Sequence, residues 1–207
     1  MLLYGTMLLI AVAISIGINL WIMIPNGEPL GMMFLWIFLA ILICGGTWFV
    51  ISMFTRFALP RNYFDARKKR WHTFKFEEKI YRFLRVKKWK DKIPELGNIS
   101  GFGKKKIEDP NNPIYLYKFL TENCLADSLH FFSIFAGVLV FVLVPSRFIL
   151  TIALPIFIVN TIMNTMSWMV QRFLRPKMVK MYERLLRLEK QKVESSAELE
   201  ESLVNAQ

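Results

Sequence analysis

Four apolar segments divide this chain. Residues 1–24 and 31–54 contain no Asp, Glu, Lys or Arg. The third segment covers residues 125–144 and the fourth residues 148–170. A hydrocarbon core of ~30 Å takes roughly 20 helical residues to cross, so the pattern predicts four transmembrane helices. The predicted fold class is therefore an all-α integral membrane protein.

The third segment reaches spanning length only if polar residues are included. Its purely apolar part, residues 131–144, has 14 residues before Pro145. Extending the helix backward brings Asp127 and His130 to the membrane edge. Ionisable groups there are costly, and they commonly mark functional sites. The alternative is a short or tilted span that leaves His130 among lipid headgroups.

The charges are segregated from the apolar segments. The chain is 54% hydrophobic, yet its net charge is +11. Of its 27 Lys and Arg residues, 18 lie in residues 56–118 and eight lie from Arg172 onward. The remaining one, Arg147, lies in the turn between the third and fourth segments. By the positive-inside rule, both termini and the central loop are expected to face the cytoplasm.

The central loop contains a second kind of element. Residues 73–93 place Phe76, Ile80 and Phe83 at helical spacing, with Leu84 and Val86 following and basic residues between them. This pattern predicts a basic, interfacial amphipathic helix, either on the membrane surface or folded over a site as a lid. The predicted organisation is a first transmembrane hairpin (1–55), a basic cytoplasmic interfacial region (56–120), a second transmembrane hairpin (121–176) and a cytoplasmic C-terminal helix and tail (177–207).

Residues 96–106 combine three glycines with three consecutive lysines. Such a loop either cradles donor phosphates or is an ordinary solvated turn. The positive-inside rule already accounts for most basic residues, so nucleic-acid binding is not expected. Cys44 and Cys124 lie at different depths and no Cys/His ligand pattern is present, so neither a disulfide nor a metal site is predicted.

Polar residues recur along the fourth segment on one helix face. They are Asn160, Asn164, Ser167, Gln171 and Arg175. The connecting turn centres near Ser146, so His130, 16 residues before it, and Asn164, 18 residues after it, should lie at similar height. Asp127 is an i,i+3 neighbour of His130, and Glu122 lies two turns further along. The asparagines could alternatively serve only to join helices.

This constellation favours acyl transfer by direct attack. His130, oriented by Asp127 or Glu122, would take the proton from an alcohol. An oxyanion or a donor phosphate would be held by Asn164, Gln171, Arg172 and Arg175. Donor or headgroup binding is assigned to Lys87, Lys88, Trp89 and Lys90, although Trp89 could also be an interfacial anchor. Cys124 is either an acyl-accepting nucleophile or a packing residue.

Ordered motifs across residues 60–187 resemble one family. They are Arg61-Asn62-Tyr63-Phe64, Phe74–Glu77, Val86–Ile93, Glu122-x-x-x-Ala126-Asp127-x-x-His130, Asn164 and Gln171-Arg172-x-x-Arg175-Pro176. Together they resemble the glycosyl-4,4'-diaponeurosporenoate acyltransferases, small bacterial cell-membrane enzymes of carotenoid biosynthesis. Within that pattern, this chain departs at Asp127, Met166 and Leu174.

The resemblance implies transfer of a fatty acyl group from acyl-CoA or a similar acyl thioester to a sugar hydroxyl of a membrane glycolipid. In the pigment pathway that sugar esterifies a C30 carotenoid acid. No further cofactor is implied, and the sequence does not indicate an oligomeric state. Two other classes compete with this interpretation. One is a non-catalytic membrane scaffold or lipid-binding partner that recruits enzymes through its basic helix; the other is a small transporter, for which no inverted repeat is visible.

Overall fold

The computed structural model describes the backbone of residues 2–93 and 107–205, and the side chains of residues 3–93 and 107–198. In these residues the regular structure is helical. Four helices are long and apolar enough to cross a membrane. They cover Leu3–Met23, Leu30–Ala58, Pro113–Leu143 and Ser146–Glu198. The all-α class and the four candidate spans are thereby confirmed.

The described residues form seven α-helices. The elements are α1 (Leu2–Met23), α2 (Leu30–Met53, continued by a π-helical turn at Phe54–Ala58), α3 (Lys75–Phe83), α4 (Val86–Trp89), α5 (Pro113–Ala136), α6 (Val138–Leu143) and α7 (Leu154–Asn205). Short 3-10 turns cover Arg61–Phe64, Lys69–Trp71, Lys90–Lys92 and Ser146–Phe148, and a π-helical turn covers Ile149–Ala153.

Helix α5 begins 12 residues before the predicted third segment. The side chain of Asn112 caps it by accepting hydrogen bonds from the N–H groups of Ile114 (3.0 Å) and Tyr115 (3.1 Å). Pro113 occupies the first turn, where its missing N–H costs nothing. Because of this early start, the polar residues before His130 are helical and lie opposite α7.

Glycine is required where α5 meets α6. A Cβ atom on Gly137 would lie 2.7 Å from Phe157 Cδ2 and 3.2 Å from the amide nitrogen of Asn160. The absence of a side chain therefore lets α7 approach closely. This approach brings Asn160 within reach of the backbone of α5.

Helix α7 continues without a break past Pro176, where the second hairpin was expected to end. Its 52 residues would extend about 78 Å at 1.5 Å per residue. Pro176 removes only the hydrogen bond to the carbonyl of residue 172. The polar residues of the fourth span and the basic residues beyond it therefore lie on one continuous helix.

Two apolar clusters pack along α5–α7. One joins the candidate spans and includes Met33, Ile37, Val140 and Ile152. The other joins the central loop to α5 and α7 through Phe64, Trp71, Leu116, Phe119 and Met178. On α7 the polar residues from Asn160 to Arg175 lie between Ile156 of the first cluster and Met178 of the second.

The predicted helix over residues 73–93 is interrupted. Helix α3 ends at Phe83, and Arg85 adopts a left-handed conformation with φ of 52°. This turn points Val86 inward, where it is fully buried, and α4 follows. The Gly/Lys loop predicted at residues 96–106 lies outside the described residues.

Helix α3 is amphipathic in an unusual sense. Glu77 and Tyr81 are buried on its protein-facing side. Phe76, Ile80 and Phe83 are exposed on its other side. The rest of its surface also exposes charged side chains, namely Lys75, Glu78, Lys79 and Arg82. Exposed apolar and basic side chains together suit a membrane surface, and the interfacial position of this helix stays a prediction.

Candidate functional site

A row of hydrogen bonds runs from His130 on α5 to Asn164 and Asn160 on α7, and from there back to the α5 backbone at Ser133. His130 Nδ1 lies 3.1 Å from Asn164 Oδ1. The Asn164 amide donates to the backbone carbonyl and the side-chain oxygen of Asn160, both at 3.0 Å. Asn160 in turn donates to the carbonyl of Ser133 at 2.9 Å. The structure thus brings His130 and Asn164 together, as their distances from the turn suggested.

The row also fixes the direction of each hydrogen bond. A backbone carbonyl only accepts, so the NH₂ group of Asn160 must face Ser133. The Asn160 side-chain oxygen then accepts from Asn164, and Asn164 Oδ1 is left to accept from His130. In its neutral form His130 therefore carries its proton on Nδ1 and its lone pair on Nε2.

A second cluster surrounds Asp127. Arg175 donates to Asp127 Oδ2, and Nη1 of Arg172 lies 3.6 Å from the same oxygen. Arg175 is 2% exposed, and it also donates to Asn123 Oδ1 (2.9 Å) and to the carbonyl of Trp71 (3.0 Å). Helices α5 and α7 and the central loop therefore meet at this guanidinium group.

Arg172 joins the same cluster to α3. Its Nε and Nη2 atoms donate to the two oxygens of Glu77 at 2.7 and 2.5 Å, which is a bidentate geometry. Nη2 also donates to the carbonyl of His72 at 3.0 Å. Two carboxylates, Glu77 and Asp127, are thus buried with two guanidinium groups, so the cluster is formally neutral.

The position of Glu77 in α3 gives its carboxylate two further hydrogen-bond donors besides Arg172. It lies in the first turn and accepts a hydrogen bond from the N–H group of Phe74 at 3.0 Å. Tyr81, one turn later, donates its hydroxyl to the same carboxylate. Burial raises the pKa of Glu77, but the hydrogen bonds from Arg172, Phe74 and Tyr81 outweigh burial and hold this pKa below its usual value.

A cavity of about 260 Å³ adjoins this cluster. Its polar lining includes Asp127, Ser128 and Arg172 from the spans and Arg70 from the loop. Its remaining walls are aromatic: Tyr63, Trp71, Phe131, Phe132 and Trp168. This polar cavity can therefore receive a polar group between aromatic walls.

The other predicted site residues lie outside this cavity lining. Gln171 accepts a hydrogen bond from Asn123 at 2.7 Å within the buried network. The carboxylate of Glu122 lies 3.5 Å from Arg56 and 3.6 Å from Arg61. Eight helical residues, about 12 Å, separate Glu122 from His130 along α5.

The predicted basic donor site lies on α4 and the turn after it. Lys87 and Lys88 are exposed. Trp89 donates to the carbonyl of Leu84 at 2.9 Å, and Lys90 lies 2.5 Å from Asp91. These four residues do not line the polar cavity, so a substrate would have to extend to reach both places.

Sequence reasoning missed Glu77 and Asn123 as members of the network. The signal for Glu77 was an acidic residue in the first turn of a predicted basic helix. For Asn123 it was a polar residue one turn before Asp127. No group of three or more His, Cys, Asp or Glu suited to a metal occurs among the described residues.

The sequence model of the glycosyl-4,4'-diaponeurosporenoate acyltransferase family matches residues 60–184, more than half of the chain. The chain belongs to this family. No curated protein and no solved structure matches it.

The acyltransferase match covers both polar clusters. It contains the central loop, α5, α6 and the part of α7 that carries Asn160 to Arg175. It excludes α1 and α2. As a member of the glycosyl-4,4'-diaponeurosporenoate acyltransferase family, the protein is assigned acyltransferase activity.

Proposed function

We propose that this protein transfers a fatty acyl group from a cytosolic acyl thioester to a sugar hydroxyl of a membrane glycolipid of the glycosyl-diaponeurosporenoate class. Family membership supports the reaction type and the acceptor class. The hydrogen-bonded row from His130 to Asn160 is the observation that carries the mechanism. It gives His130 a defined tautomer, and His130 lies on the same turns of α5 as the cavity residues Asp127, Ser128 and Phe131, although it is not itself part of the cavity lining.

In the proposed reaction, His130 Nε2 takes the proton of the sugar hydroxyl as its oxygen attacks the thioester carbonyl. A tetrahedral oxyanion forms. It collapses with cleavage of the C–S bond, and the thiolate leaves with the proton returned by the imidazolium. The products are a sugar ester and a free thiol, so no covalent enzyme intermediate and no cofactor are needed.

Asn164 is proposed to position the imidazole, since its oxygen accepts the Nδ1 proton. The orientation of His130 by Asp127 or Glu122 stays a prediction. Asp127 is proposed to hold Arg172 and Arg175 in place as their counter-ion.

Arg172 is proposed to stabilise the oxyanion or a donor phosphate. It lines the polar cavity, and its Nε and Nη2 atoms donate to Glu77. Nη1, which lies 3.6 Å from Asp127 Oδ2, is the nitrogen that we propose donates to substrate oxygens. Gln171 and Arg175 would act from within the buried network. Lys87, Lys88, Trp89 and Lys90 are proposed to contact the donor or lipid headgroups.

Lipid mass spectrometry tests the proposal in a bacterial host that supplies the glycosylated carotenoid acid and acyl donors. Cells with the wild-type chain should accumulate a glycolipid that is heavier by one acyl group, and His130→Ala should abolish it. His72→Ala is the matched control, because it removes the other histidine side chain, which is exposed. An undiminished product in His130→Ala cells at equal membrane abundance would remove His130 from the mechanism.

A membrane scaffold is the second candidate function. The observation that favours it is the exposed face of α3 together with the exposed Lys87 and Lys88 of α4. A scaffold would leave the lipid profile independent of His130. Neutralising Lys87, Lys88 and Lys90 together would instead release a co-purifying enzyme.

A further inference from the structure

An apolar groove lies between α2 and the third span. It encloses about 390 Å³, within the ~300–1,000 Å³ range of ligand pockets. Val50, Ile51 and Phe54 form one wall, and Phe132, Phe135 and Leu139 form the other. Thr47 is the lone polar residue of its lining.

This groove adjoins the polar cavity at one side chain. Phe132 lines both. On the third span, Ser128 of the polar cavity is followed at intervals of three or four residues by Phe132, Phe135 and Leu139 of the groove. Such spacing places them along one helix face, over about 16 Å of helix.

We infer that the groove between α2 and α5 holds the apolar polyene chain of the acceptor, with the acceptor's sugar in the polar cavity. This inference rests on the proposed function and adds the binding site for the lipid part of the substrate. The continuity at Phe132 matches an amphiphile, whose polar and apolar parts are covalently joined. The three phenylalanine rings of the groove suit a flat conjugated chain, which packs well against aromatic faces.

The exposure of the groove favours the acceptor, rather than the acyl donor, as the molecule that binds there. Val50 is 64% exposed and Phe135 is 57% exposed, so the groove opens sideways from the candidate spans rather than toward the basic loop. A substrate already dissolved in the bilayer can enter laterally by this route. A donor from the cytosol would approach from the end that carries the basic residues.

Retention of pigment tests the inference without requiring turnover. Purified protein in detergent is mixed with a glycosylated C30 carotenoid acid and passed over a gel-filtration column, and polyene absorbance per protein is measured. Val50→Trp should fill the groove and lower retention about ten-fold, through lost apolar contact. Val142→Trp is the matched control, because Val142 is 73% exposed and lies outside the groove lining. It should retain pigment like the wild type.

A second substitution, Leu139→Trp, fills the groove from the opposite wall. It replaces Val50→Trp in the same retention measurement if Val50→Trp does not fold. The inference fails if the wild type retains no polyene, or if both folded groove variants retain it fully. It also fails if the variants lose binding of a radiolabelled acyl thioester instead, because the groove would then bind the donor. A change in oligomeric state alone would likewise contradict it, because the groove would then bind a second copy of the chain. Groove-dependent retention by a wild type without acyl transfer would support the site and contradict the proposed reaction.

Discussion

The side chains around His130 decide which of its nitrogens can act as a base. Asn164 accepts from Nδ1 only because Asn160 and the Ser133 carbonyl set the orientation of both amides. Replacing Asn164 with Leu removes this acceptor while keeping the branched shape of the side chain. We expect kcat for acyl transfer to fall about 10- to 100-fold with KM little changed, since the base is displaced but the substrate sites remain.

Two measurements separate this positioning role from a loss of stability. Nitrogen-15 NMR of labelled histidine should show the proton of His130 on Nδ1 in the wild type, and this preference should be lost in Asn164→Leu. Asn19→Leu is the control, because Asn19 accepts a hydrogen bond from Thr151 (2.9 Å) within another pair of candidate spans. It should lower thermal stability and leave kcat within about two-fold. Equal losses of kcat in both variants would show that Asn164 matters only for packing.

Helix α3 is attached to α7 by a charge pair, and this attachment should respond to pH. The pKa of Glu77 lies below its usual value, so the folded state favours the carboxylate. Its contribution to stability is complete above the unfolded pKa of about 4.3 and is lost as the pH falls through the lower, folded pKa. We expect acidification from pH 7 to pH 3 to lower the Tm of the wild type more than that of Glu77→Gln.

At pH 7 the Glu77→Gln variant should be less stable by on the order of 3 kcal/mol, because Arg172 loses a buried counter-charge. Glu78→Gln makes the same chemical change at the next residue, which is exposed and 3.8 Å from Arg82. Its thermal unfolding, followed by circular dichroism, should match that of the wild type at both pH values. A Glu77→Gln variant with the wild-type Tm at pH 7 would contradict the attachment.

The helices that could be predicted from sequence were those with long apolar runs. The runs in α1 and α2 located both helices to within a residue or two, because no charged side chain occurs there. The early start of α5 was not predicted, although Asn112 followed by Pro113 is a local start signal. Burial of the polar residues of this helix against α7 is what the sequence alone does not show. The break at Arg85 could not be predicted, because it depends on how Val86 is buried against the rest of the protein.

In the candidate site, too, the sequence predicted what depends on local spacing and not what depends on packing between distant segments. Spacing from the turn predicted that His130 and Asn164 would meet, because two antiparallel helices have a common rise per residue. Spacing does not reveal that Asp127 is held by Arg175, or that Glu77 reaches Arg172 from 95 residues away. Partners from distant segments depend on how the loop packs against the spans, and one sequence carries no direct record of that packing.

At the scale of the whole molecule, charge is divided between the two ends of the helical bundle. Arg147 lies 3.5 Å from Glu28, so the two short turns lie together at one end. The described residues contain 24 of the 27 Lys and Arg residues, and the 23 other than Arg147 lie in residues 56–93, at Lys118 or from Arg172 onward, toward the other end. Between Asp127 and Val144 the helix rises about 26 Å, close to the ~30 Å of a hydrocarbon core. The carboxylate–guanidinium cluster therefore lies where such a core would end on the basic side.

This arrangement predicts the orientation in the membrane. Basic residues are retained on the cytoplasmic side, so the two short turns should face outward. In a chain with Cys44→Ala and Cys124→Ala, a cysteine at the exposed position Asn26 should react with a membrane-impermeant maleimide in intact cells. Cysteines at the exposed positions Lys69 and Lys190 should react only after permeabilisation. The opposite labelling would place the polar cavity at the outer surface, beyond reach of a cytosolic thioester, and the proposed donor would then be wrong even if the acceptor were right.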